Sequence, residues 1–198
     1  TTVEYYNDNR HLPPALCTFG RQTWWRGSGS GAENLRYEQL TFPHDEAFYL
    51  QCYRDAWCNV HGSDEGFVPE LYARSAAKHA QEPPGSVVRV PSGDTVGGLV
   101  ELDPARDEHA GCGWISLLYM LPEYRGRGWA IQLLGYAFWF YENHDRNTVR
   151  LHVSENNARA IAFYRRSGFV QLGRDPGVRE RLLLMGRLIH RTVAHGSV

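Results

Sequence analysis

Apolar residues along this chain keep two rhythms, one near 3.6 residues and one of two, and each change of rhythm marks an element. Residues 35–41 alternate as a half-buried strand does. Residues 45–60 carry Phe48, Leu50, Cys52 and Trp57 without a proline, and residues 69–79 open on Pro69, which suits the first turn of a helix. Both stretches predict helices. Residues 86–90 and 95–102 then predict two strands around the turn Pro91-Ser92-Gly93-Asp94.

The second half is more regular. Residues 113–120 are almost continuously apolar, as in a strand buried on both faces of a partly parallel sheet, and Pro122 ends them. Over residues 129–144, Trp129, Leu133, Tyr136, Ala137 and Phe140 recur at helical spacing and form one core-facing stripe. Val149, Leu151 and Val153 alternate with Arg150 and His152, so a strand returns; a strand, helix, strand unit of this length sets its strands parallel through a right-handed crossover. A short helix over 157–166 closes at Gly168, where a left-handed residue is wanted. Strands over 169–172 and 181–188 follow, joined through a turn at Asp175, Pro176 and Gly177. The expected fold class is α/β (α+β): a mixed sheet of six to seven strands with helices on both faces.

Residues 1–33 differ from the rest. They hold Pro13, Pro14, Trp24 and Trp25 and end in Gly27, Ser28, Gly29, Ser30 and Gly31, which reads as an N-terminal extension and a flexible linker ahead of a domain over 34–190 and a tail over 191–198. No buried strand precedes the glycines, so they do not make a dinucleotide loop.

Charge narrows the partners. Twenty-one basic residues against 22 acidic ones leave a net charge of -1, so neither a nucleic acid nor a membrane surface is the expected partner. Cysteines at 17, 52, 58 and 112 form no Cys-x-x-Cys pair and stand beside no histidines at zinc spacing, which predicts reduced thiols, a cytoplasmic setting and no metal. No run of about 20 apolar residues is present to cross a bilayer.

The strongest chemical signal is Tyr124-Arg125-Gly126-Arg127-Gly128-Trp129-Ala130, between the buried strand and the long helix. Small residues let the backbone approach a ligand, and the first N–H groups of a helix have no partner within it. Those donors and the positive end of the helix dipole suit a pyrophosphate. With Arg125, Gly128 and Ala130 this turn resembles the acetyl-CoA signature of the GNAT superfamily, Arg/Gln-x-x-Gly-x-Gly/Ala. After the next strand, Asn157, Ala160, Tyr164, Gly168 and Phe169 resemble that family's second pattern, Asn-x-x-Ala-x-x-x-Tyr-x-x-x-Gly-Phe. With flanking strands the likeness spans residues 99–188. A separate resemblance covers residues 3–12, where Asn7, Asp8, Asn9 and His11 look like the last strand and tail of a histidine-phosphatase domain; it implies the C-terminal half of a two-domain protein.

The GNAT resemblance implies a parallel central pair of strands that parts to admit the pantetheine arm of acyl-CoA. Backbone groups at Leu118, Tyr119 and Met120 would pair with that arm, Arg125, Gly126, Arg127, Gly128, Trp129 and Ala130 would hold the diphosphate, and Asn157 would hydrogen-bond the cofactor. Tyr164 would stand near the thioester sulfur, and a phenol with pKa near 10 can give its proton to a departing thiolate. The implied activity is an acetyl-CoA-dependent N-acetyltransferase, transferring directly to an amine of a small molecule or peptide in a ternary complex. A homodimer is compatible with it, and a non-catalytic acyl-CoA-binding regulatory module is the alternative. Glu101 is the first choice for the base that deprotonates the amine, with Asp103 and His152 as rivals. Tyr49, Tyr53, Trp57, His61 and Tyr72, from the first two helices and the loops near them, are candidates for acceptor contacts.

Overall fold

The computed structural model describes residues 35–189 except 82, 93, 94 and 178–180. The expected extension and linker, the phosphatase-like stretch, Cys17 and the C-terminal tail lie outside the described residues.

Seven strands form one sheet in the order β1-β2-β3-β4-β5-β7-β6. The strands are β1 (Glu38–Gln39), β2 (Val87–Ser92), β3 (Thr95–Asp103), β4 (Cys112–Met120), β5 (Thr148–Ser154), β6 (Val170–Pro176) and β7 (Arg181–Leu188); the helices are α1 (Glu46–His61), α2 (Pro69–His79), α3 (Trp129–Asn143) and α4 (Ala158–Arg166). Only β4 and β5 run parallel, joined by the α3 crossover; every other neighbouring pair is antiparallel. The last strand slips between β5 and β6, an order that periodicity alone does not contain.

Strand alternation divides the apolar residues between two cores. Val88, Val90, Val100, Leu102, Ile115, Leu151 and Val153 pack against Leu133, Ala137 and Phe140 of α3 and Ile161 and Tyr164 of α4. Across the sheet, Val87, Leu99 and Tyr119 pack against Tyr49 and Cys52 of α1 and Ala76 of α2. Among the described residues no helix is long and apolar enough to cross a membrane.

Three boundaries differ from the sequence expectation. The strand expected over 35–41 is two residues long, because the chain leaves the sheet after Leu40 to let Asp45 Oδ2 accept from the Thr41 amide at 2.8 Å and start α1. β2 runs on to Ser92, paired with Thr95, which shortens the hairpin connection to residues 93 and 94. β6 extends through Asp175 and Pro176, which pair with Leu182 and Arg181, so the turn begins after them.

Close packing fixes β4 against α3. A Cβ on Gly113 would lie 2.3 Å from the Tyr141 ring. That ring has nowhere to go, since its hydroxyl donates to the carbonyls of Trp114 at 2.6 Å and Asp103 at 3.2 Å. Gly113→Ala is therefore expected to cost about 3 kcal/mol or more, the upper end of overpacking, in a denaturant titration. A variant as stable as the parent would show that this contact yields.

Candidate active site

The site starts from a defect in the sheet. β4 and β5 pair from Cys112↔Thr148 to Ile115↔Leu151 and no further, although β4 continues to Met120 and β5 to Ser154. The register between β3 and β4 slips at the same level, from Glu101↔Leu117 to Leu102↔Ile115, which leaves Ser116 as an extra residue. Such a bulge bends its strand. Beyond Ser116, β4 stays with β3 and β5 stays with β7, so a gap opens between them.

Backbone polarity along that gap follows from one bond. The Leu121 amide donates to the Gly97 carbonyl at 3.1 Å. By alternation of antiparallel pairs, Tyr119 turns its own N–H and C=O toward β3, and Leu118 and Met120 turn theirs toward the gap. Of the three backbones expected to pair with a pantetheine arm, two thus face the opening and Tyr119 does not. Its side chain serves the other core, donating to Asp55 Oδ2 at 3.3 Å.

The turn after β4 has the features of an anion cradle. Gly126 and Gly128 have φ of 83° and 78°, and no described residue lies within 4 Å of where a Cβ would stand on either. Gly128 caps α3 without a side-chain bond, and no described residue accepts from the amides of residues 126–130. These donors, the helix dipole and the exposed Arg127, whose guanidinium lies 5.0 Å from the Tyr124 ring centre, fit a diphosphate. Two residues of the expected set act otherwise. Arg125 turns back to donate from Nε to the Met120 carbonyl at 3.0 Å, and the Trp129 indole is buried on Gly97, leaving only its amide to the turn.

Tyr164 is buried beside Phe163 and Phe169, with ring centres at 5.3 and 5.5 Å. Burial pushes its phenol up to about 12, so it keeps its proton at neutral pH. Asn157 caps α4, accepting from the Ala160 amide at 3.0 Å through Oδ1. Its Nδ2 bonds no described residue, and Oδ1 keeps a second lone pair.

On the opposite face lie the carboxylates expected to supply a base. Glu101 is 2% exposed and accepts from the Tyr49 hydroxyl at 2.8 Å through Oε2; its Oε1 lies 2.8 Å from His79 Nδ1. His79 also meets Asp103 Oδ2 at 3.4 Å through Nε2. Asp103 Oδ1 accepts from the amides of Ala105 and Arg106. Burial works against a charged His79, but bonds to Asp103 and Glu101 prevail and raise it to about 9. The result is an imidazolium held between two carboxylates. His79 escaped sequence reading because it stands at the end of a helix whose pattern is that of packing alone.

The expected acceptor-side aromatics largely pack on one another. Tyr53 stacks on Tyr72 at 4.2 Å, Tyr72 on Phe67 at 5.1 Å, and Trp57 lies 4.2 Å from His61. His152, the remaining rival base, meets Trp114 edge-on at 4.8 Å and has Nε2 2.8 Å from Asp175 Oδ2. Asp175 was legible only as a turn residue. A cleft of about 560 Å³ between α4 and β6–β7, lined by residues such as Arg165, Arg174 and Leu183, lies off this line of groups. Among the described residues no three His, Cys, Asp or Glu side chains gather in a way that would hold a metal.

Comparison with known proteins bears on the fold. The pattern of the Acetyltransferase (GNAT) family matches residues 42–169. No curated protein matches the sequence. Among solved structures the chain is similar to Ard1 from Thermoplasma volcanium, with 18% identity over 80% of this chain and 100% of that one and a TM-score of 0.65. It is similar to the ribosomal-protein-S18-alanine N-acetyltransferase of Escherichia coli, at 16% identity over 82% of this chain and 98% of that one, TM-score 0.58. A third likeness is to the spermidine N-acetyltransferase of Vibrio cholerae in complex with CoA and spermine, at 20% identity over 79% of this chain and 96% of that one, TM-score 0.59. At these identities the likeness is one of fold.

The buried Glu101–His79–Asp103 cluster has a pH signature. His79 titrates higher folded than its ordinary 6.5, so its stabilising contribution is complete below pH 6.5 and is lost as pH rises through about 9. Melting temperature is expected to fall between pH 7 and about 9.5. His79→Gln should lack that slope and lose on the order of 3 kcal/mol at pH 7, as when one partner of a buried pair is removed. Parallel slopes in the two proteins would mean that His79 is neutral in the fold.

Proposed function

This chain belongs to the GNAT acetyltransferase family, and from that premise we propose that it transfers the acetyl group of acetyl-CoA directly to a primary amine of a small molecule or peptide. The observation that carries the reading is the parted β4–β5 pair leading to a helix start whose amides have no partner among the described residues. The gap is the shape wanted for an extended pantetheine chain, and its free edge offers the Leu118 backbone and the Met120 amide to it. At its end, the amides of residues 126–130 and Arg127 would hold the diphosphate. Spermidine and alanine N-acetyltransferases among the similar structures support an amine as acceptor.

Within this reading each residue has a task. Tyr164 stays protonated and donates to the sulfur as it leaves; a thiolate formed in the same water-poor surroundings has its own proton affinity raised, which favours the transfer. Free backbone N–H groups on β4 suit the oxygen that gains charge as the amine attacks. Arg125 acts indirectly, tying the Met120 carbonyl to the turn. Glu101, with both oxygens engaged, holds Tyr49 and His79 under the acceptor side.

Calorimetry with acetyl-CoA tests the first half of this reading. Binding is expected in the wild type, and Arg127→Ala should weaken it about tenfold, the worth of one charged hydrogen bond; no heat with the wild-type chain would sink the proposal. Thiol release on a panel of amines tests the second half. Tyr164→Phe is expected to lower kcat about 10²-fold with little change in the Kd of acetyl-CoA. Binding without turnover on any amine would favour a regulatory module instead.

A further inference from the structure

Amine acetylation needs a proton acceptor as well as a donor, and the two belong on opposite sides of the gap. Tyr164 lies in the core between the sheet and α3 and α4, together with Ile115, Leu151 and Val153. An acceptor amine therefore has the other face to come from, and the group that takes its proton should stand there.

The three residues that the sequence offers as bases all stand on that face. Glu101 is sealed and bonded through both oxygens, and Asp103 spends one oxygen on two backbone amides and the other on His79. His152 differs from both. It is the first residue of β5 past the last parallel pair, Ile115↔Leu151, so its Cα sits where the gap begins. Since Leu151 and Val153 face the α3–α4 core, alternation sends His152 to the opposite face, where its ring meets Trp114.

Its hydrogen bonding fixes the tautomer. A carboxylate only accepts, so the Nε2 that lies 2.8 Å from Asp175 Oδ2 carries a hydrogen, and in the neutral ring it is Nδ1 that holds the lone pair. No described residue bonds Nδ1, and the side chain is 21% exposed. An imidazole oriented by a carboxylate, partly exposed and carried by the residue at which the gap begins, is in its neutral form an arrangement for taking a proton.

We propose that His152 is the general base of the transfer and Asp175 the positioning residue that fixes its tautomer; this role rests on the acetyl-transfer reading above. The ammonium form of the acceptor gives one proton to Nδ1, and its nitrogen bonds to the acetyl carbon. As the C–S bond breaks, sulfur takes the Tyr164 proton, and the amide nitrogen sheds its second proton to solvent. His152 returns its proton to solvent, and Tyr164 regains one from there. The balance is one amide, one free thiol and one proton released per ammonium consumed.

Modification of the full chain with diethyl pyrocarbonate, followed by peptide mass spectrometry, needs no acceptor. Saturating acetyl-CoA is expected to slow acylation of His152 at least about tenfold, as a ligand that shields the gap must, while the exposed His44 keeps its rate. Equal rates at His152 with and without acetyl-CoA overturn the proposal. With spermidine or an alanine-initiated peptide as acceptor, His152→Gln should lower kcat about 10²-fold or more at an unchanged Kd for acetyl-CoA. Asp175→Asn, which keeps the ring and serves if the first variant folds poorly, should lower kcat about tenfold or more with the acceptor KM preserved. Activity within threefold of wild type in both variants overturns the assignment, and if neither amine is acetylated the protection result decides. Failure of the wild-type chain to bind acetyl-CoA in calorimetry would instead overturn the parent reading.

Discussion

One unpaired residue governs the site. Ser116 is surplus in the β3–β4 register, and at its level β4 must choose between two neighbours. It keeps the antiparallel ladder to β3 and abandons the parallel one to β5. The abandoned edges carry backbone donors and acceptors that every other central strand spends on its neighbours, which is why a ligand with amides of its own has a place to go. The turn at the mouth of the gap follows the same logic, since α3 begins with amides that nothing in the described chain accepts.

Keeping that gap open takes rigidity on both sides. On one face the backbones of β4 and β3 are clamped to α3, with Tyr141 over Gly113 and Trp129 over Gly97, and no side chain larger than hydrogen fits at either glycine. On the other, Tyr49, Glu101, His79 and Asp103 form a buried polar chain that ties α1, α2 and β3 together. Charges as deep as Glu101 and His79 are costly unless paired, and here they pair with each other, with the half-buried Asp103 on the other side of the ring. Stability and chemistry are thus separated: the saturated cluster braces the sheet, and the unsaturated groups at the gap remain available.

On the proposed reading, the two faces also divide the reaction. Tyr164 and the apolar core lie with α3 and α4, whereas His152, Asp175 and Trp114 lie across the sheet. A thioester threaded between β4 and β5 would be approached from one face and would release sulfur toward the other. This geometry needs no large movement, only that the two strands stay apart.

Much of this was legible along the chain. Periodicity alone located the four helices and the run of strands, because burial on one face writes itself into spacing, and the glycine turn before Trp129 announced its amides through composition. Side-chain partners were not legible, since they depend on which residues the sheet order brings side by side. Glu101 read as an available carboxylate and is a buried one, because His79, 22 positions earlier, folds over it. Asp175 read as part of a turn and instead meets the His152 ring from β6, across the intervening β7, a neighbourhood that only the sheet order reveals. The sequence by itself determined the elements and the anion-binding turn, which are local matters of period and backbone freedom; the tertiary structure decided which polar groups are satisfied and which are left to react, because satisfaction is a property of neighbours distant in the chain.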